Sequence, residues 1–91
     1  MEVRELKWGD NITKKGKEIG LFEIVSKVEE LHIWYYIQNR SIDGVVSECI
    51  FYLMIEGNFD DVIIECDSVE NCKILAQEHF KDYVIKTFFK N

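Results

Sequence analysis

Residues 31–39, LHIWYYIQN, alternate without a break. Leu31, Ile33, Tyr35 and Ile37 fall on one side of an extended chain, with His32, Trp34, Tyr36 and Gln38 on the other. A period of two carried by aromatic and β-branched residues is the pattern of a strand. Both flanking stretches read the same way. Upstream, Ile19–Val28 sets Phe22, Ile24 and Val28 on one face, with Lys27–Glu30 as the turn between. Downstream, past a loop at Arg40–Gly44, Val46–Glu56 alternates Cys49, Phe51, Leu53 and Ile55 with Glu48, Ile50, Tyr52 and Met54. Three such runs joined by short turns predict an antiparallel meander. Gly57 and Asn58 turn the chain again, and Val62–Glu65 supplies a short further strand. Before the meander, the polar stretch Asp10–Gly20 reads as a long turn, preceded by an edge strand in VRELKW, residues 3–8.

From Asp67 the period changes to that of a helix. Asp67 reads as the N-cap, and Glu70, three residues on, as its capping-box partner. Val69, Cys72, Ala76, Phe80, Tyr83 and Thr87 then share one narrow sector at 100° per residue, the face to be buried against the sheet. Basic residues increase toward the C-terminal end, as the helix dipole favours. The expected fold is α+β: an antiparallel meander of three to five strands packed against one C-terminal helix.

With 91 residues, no proline, no repeat and no low-complexity tract, the chain reads as a single domain over residues 1–91. Its composition, 47% hydrophobic and 13% aromatic, is that of a folding chain rather than a disordered one. The first ten residues hold no signal-peptide run, and no stretch approaches the roughly 18 apolar residues of a membrane span. Three cysteines, Cys49, Cys66 and Cys72, are odd in number and form no C-x-x-C pair. They read as small reduced hydrophobes in a cytoplasmic protein. A zinc site would have to combine Cys66, Cys72 and His79, at a spacing that fits no established ligand pattern. Calcium held by Asn58, Asp60, Asp61 and Glu65 lacks the EF-hand spacing and its glycine. No metal and no cofactor is expected.

Charge is placed unevenly. The net charge is −6, which excludes a polybasic nucleic-acid binder, and residues 1–40 balance seven acids with seven bases. Between Ser41 and Cys72 stand eight acids, Asp43, Glu48, Glu56, Asp60, Asp61, Glu65, Asp67 and Glu70, with no lysine or arginine. A field of one sign steers association toward a surface of the other sign; the alternative is a solvated surface that aids solubility. If the helix covers one face of the meander, the other carries His32, Trp34, Tyr36, Ile50, Tyr52 and Met54, a patch that soluble monomers rarely leave bare. Either a partner covers it, or the N-terminal Leu6 and Trp8 fold over it as core. On the back of the helix, Ile74, Ile85 and Phe89 form a weaker surplus that a dimer would also use.

No motif whose spacing forces a mechanism is present. Cys72 and His79 lie two helical turns apart, about 10 Å at 1.5 Å per residue, too far for a nucleophile and its base. The reading is of a non-enzyme without catalytic residues.

Leu6-Lys7-Trp8, the strand Gly20–Ile24 and the run Ser68–Phe80 (SVENCKILAQEHF) together resemble small uncharacterised phage and prophage proteins. Those start with L-x-W, continue with a meander and end in a helix opening as S-x-E-x-A/C-K-x-x-A-Q. The resemblance implies an accessory protein that binds and blocks a host protein, in the manner of anti-defence or anti-CRISPR proteins. The resulting expectation is an inhibitor with a basic-surfaced host protein as partner and no direct contact with nucleic acid or membrane. Its partner-binding residues would be Asp43, Glu48, Glu56, Asp60, Asp61 and Glu65, with Trp34, Tyr36 and Tyr52. The alternative is a small homodimeric structural or regulatory module whose open sheet face is its own partner.

Overall fold

The computed structural model describes residues 3–10, 22–42 and 45–88, with side chains described throughout these except at 40–42 and 45–49. Five strands form one antiparallel sheet in sequence order: β1 (Gly9–Asp10), β2 (Glu23–Val28), β3 (Ile33–Ile42), β4 (Val45–Glu56) and β5 (Val62–Cys66). One C-terminal helix, α1 (Val69–Phe88), packs against it. The α+β meander is therefore the fold.

Its details depart from the sequence reading at the N-terminal edge, at the β2–β3 turn and at several strand ends. The edge strand is Gly9–Asp10 and not residues 3–8, because Gln77 of α1 takes the backbone of that segment instead. The Leu6 N–H donates to Gln77 Oε1 at 2.8 Å, and Gln77 Nε2 donates to the Arg4 carbonyl at 2.9 Å. Leu31 lies in a 3-10 turn, Glu29–Leu31, rather than in β3. That turn closes at His32, whose left-handed backbone (φ 55°) reverses the chain and whose N–H donates to the Glu29 carbonyl. β3 also runs on to Ile42 into the expected loop.

The helix cap is corrected too. Ser68, not Asp67, is the N-cap: its carbonyl accepts the first i→i+4 bond, from the Cys72 N–H, and its Oγ accepts from the Asn71 N–H at 3.1 Å. A side-chain oxygen satisfying the N–H of the third helical residue is what a cap supplies. Asp67 instead accepts from the Asn71 side-chain amide, and Glu70 is exposed.

Strand register aligns the apolar alternation of neighbouring strands. Ile24 pairs with Ile37, Ile37 with Leu53 and Leu53 with Ile64, so one row of aliphatic side chains crosses four strands. The next row is Ser26, Tyr35, Ile55 and Val62. Onto these rows α1 lays Cys72, Ala76 and Phe80, all buried, with Val69 and Tyr83 half-buried beside them. Thr87, expected on the same face, is exposed. Each fully buried Ile or Leu contributes about 1.5–3 kcal/mol relative to an exposed one, which makes this layer the main source of stability.

Candidate functional site: the open sheet face

The pleat that buries one set of side chains turns the alternate set outward. Val25 of β2 pairs with Tyr36, Tyr36 with Met54 and Met54 with Ile63, giving an apolar row across the side of the sheet away from α1. Trp34 lies beside it toward the β2–β3 turn, and Gln38 and Tyr52 toward the other end. Trp34, Tyr36, Tyr52 and Met54 are half-buried by one another, and Ile63 is 55% exposed. Gln38 Nε2 donates to Met54 Sδ, which knits the middle of the face together. The His32 ring sits 6.3 Å from that of Trp34.

The N-terminal segment does not cover this face. Leu6 is buried in the core beneath α1, Trp8 packs against the same core, and the Arg4 guanidinium stands 5.9 Å over the Phe80 ring. Of the two alternatives for the outer aromatics, the cover by Leu6 and Trp8 is thus excluded. No described element lies across the row.

Carboxylates rim it. Glu56 pairs with Trp34, Glu65 with Tyr52 and Glu23 with Gln38, all on the open side. Glu56 and Glu23 stand diagonal to Tyr36. Burial first, then these two carboxylates, raise the Tyr36 hydroxyl above the ordinary tyrosine range. Asp60 and Asp61 are exposed in the β4–β5 connection, at the Trp34 end. Lys27, opposite Trp34, is the one base on the described part of the face. The ion pair among the described residues, Arg4 with Glu30, leaves these acids uncompensated. Acidity continues round the β5 edge, where a shallow hollow of about 360 Å³ is bordered by Glu65, Asp67 and Glu78. Asp43 and the Glu48 side chain lie outside the described residues, as does Phe89. The structure thus brings Glu56, Glu65, Trp34, Tyr36 and Tyr52 together and sets Asp60 and Asp61 at one end. Glu23 is the member the sequence reading omitted, because it lies outside the acidic stretch; its period-2 position in β2 was the available signal.

The remaining candidate chemistry does not converge. Cys66 and Cys72 are both buried and free and neighbour one another, and the Cys66 thiol donates to the Ile64 carbonyl. Burial, the neighbouring thiol and Asp67 push Cys72 far above the usual thiol range, which leaves it without thiolate character. His79 turns away from them: its Nδ1 lies 2.9 Å from the Tyr35 hydroxyl, and its ring packs 5.4 Å from that of Phe59. Burial lowers its pKa below the usual histidine value, with Asp82 opposing and Lys86 adding to the effect. Cys66, Cys72 and His79 therefore do not form a ligand set, and no three metal-ligating side chains meet among the described residues. None of the helices described is long and apolar enough to cross a membrane. Comparison with protein-family models, with curated proteins and with solved structures finds no significant match.

Proposed function

We propose that the protein is a non-enzymatic binding protein that lays its open sheet face on a basic surface of another protein, and that this partner is a host protein which it inhibits, as the likeness to phage accessory proteins implies. The observation that carries the reading is the face itself. An aromatic and aliphatic row spans four strands, rimmed by Glu23, Glu56 and Glu65 and left uncovered by the N-terminal segment. Aromatic side chains in the centre supply the desolvated anchors on which interface energy concentrates. The carboxylate rim supplies steering that is screened over about 8 Å at physiological salt. A second copy of the chain would set like charge against like charge, which favours a cationic partner over a face-to-face dimer.

The test is capture from bacterial lysate by the immobilised full chain, with captured proteins identified at low and high salt. The expected result is one basic protein, held at low salt and lost both at high salt and with the variant Glu56→Lys/Glu65→Lys. The control variant Ile74→Gln/Ile85→Gln, on the back of α1, retains it. Equal capture by the rim variant and the wild type refutes the proposal. So does sedimentation of the free protein as a dimer that the rim variant leaves intact.

A further inference from the structure

The β1–β2 ladder stops abruptly. Gly9 pairs with Val25 and Asp10 with Ile24. Carried backward in the same antiparallel register, Trp8 would face Ser26, Lys7 would face Lys27, Leu6 would face Val28 and Arg4 would face Glu30. The last pairing exists, as an ion pair, yet β1 itself begins only at Gly9. Between the two closed ends residues 4–7 and 26–28 border an open slot of about 560 Å³, within the range of ligand pockets.

Two causes hold the slot open. Gln77 draws the Arg4 carbonyl and the Leu6 N–H toward α1. In an extended chain the amide and carbonyl of one residue point to one side and those of the next to the other. The backbone groups of Glu5 and Lys7, which Gln77 does not hold, are the ones available to a strand beside β2. The second cause is electrostatic: closing the ladder would set Lys7 directly opposite Lys27, and like charges facing across a strand pair are destabilising. Both lysines are exposed, and among the described residues neither has an ion-pair partner.

We infer that this slot accepts an extended peptide of a partner protein as an added strand between residues 4–8 and β2, and that the peptide alternates acidic and apolar residues. Backbone groups on both borders supply the ladder, in the manner of β-strand addition to a sheet edge. A carboxylate at the position between Lys7 and Lys27 meets both ammonium groups, while the next side chain points inward, between buried Leu6 and Val28. The edge Ser26–Val28, unpaired on this side among the described residues, spans about 10 Å, so three or four peptide residues are held. Lysines at a sheet edge repel basic strands and disfavour uncharged ones through the cost of desolvating their ammonium groups, which makes the acidic residue the specificity element. This site adjoins the rimmed face at Lys27, which borders both, and does not depend on the function proposed for that face.

The test is a nuclear magnetic resonance titration of the ¹⁵N-labelled full chain with end-capped octapeptides of alternating valine and glutamate, of alternating valine and lysine, and of the glutamate peptide with a central valine replaced by proline. The acidic peptide is expected to shift the amides of Glu5, Lys7, Ser26, Lys27 and Val28 saturably, at least tenfold more tightly than either control. The variant Lys7→Glu/Lys27→Glu, with its folding verified by its own spectrum, is expected to reverse the preference toward the lysine peptide. The inference is overturned by the absence of saturable shifts at millimolar peptide, by equal response to the lysine peptide, by shifts confined to the β5 edge or the open face, or by concentration-dependent self-association occupying the same amides.

Discussion

Removing one oxygen atom from the core tests how the sheet is tied to the helix. Tyr35 is 0% exposed, yet its hydroxyl reaches the far side of the core and lies 2.9 Å from His79 Nδ1. Its ring stands edge-on to those of His79 and Phe80, at 5.6 and 6.5 Å. In Tyr35→Phe the ring, its volume and both edge contacts persist, so no cavity term enters and only the hydrogen bond is lost. A neutral hydrogen bond contributes about 1 kcal/mol net, and a buried partner left unsatisfied costs about 1–3 kcal/mol. His79 is only half-buried and can regain a water molecule, which places the expected loss at about 1–2 kcal/mol. For a chain of this size that lowers Tm by about 5–15 °C. Urea unfolding followed by the fluorescence of Trp8 and Trp34 reads the change, with the m-value constant if the end states are unaltered. A double-mutant cycle with His79→Leu should return a coupling of about 0.5–1.5 kcal/mol. A loss under about 0.3 kcal/mol, or no coupling, refutes the reasoning.

The acid limb of the stability curve should belong in part to His79. Because the folded chain favours its neutral form, its contribution is complete above the ordinary histidine pKa of 6.5 and is lost as pH falls through its lowered folded value. His79→Gln should therefore flatten the urea midpoint between pH 7 and 5, and an unchanged slope contradicts this. Ser68→Ala should cost about 1 kcal/mol as loss of the true cap, whereas Asp67→Ala costs a few tenths; thermal melts that reverse the order would restore Asp67 as the cap. Gln77→Ala should free the backbone of residues 4–6 from α1 and raise amide hydrogen exchange at Leu6 while leaving the exchange of Tyr35 and Leu53 unchanged.

Sequence alone determined the meander and the helix, because a period of two at residues 31–39 and the change of period after Asp67 are consequences of burying one face of each element. It also placed Trp34, Tyr36 and Tyr52 on one face, since strand parity fixes sidedness, whereas the strand register was needed to set Glu56 and Glu65 beside them. Local pattern could not say what the N-terminal segment does. Leu6 suits an edge strand, a cover for the outer aromatics and a plug beneath the helix equally well, and the choice came from Gln77, 71 residues away in sequence, whose amide captures its backbone. The cap moved by one residue because Asp67 and Ser68 are both competent and only the helix's first carbonyl bond distinguishes them. The partnership of Tyr35 with His79, the meeting of Cys66 with Cys72 and the slot beside β2 were likewise decided by tertiary packing. Side-chain reach across a core and the like charges of Lys7 and Lys27 act between segments that have no relation until the chain has folded.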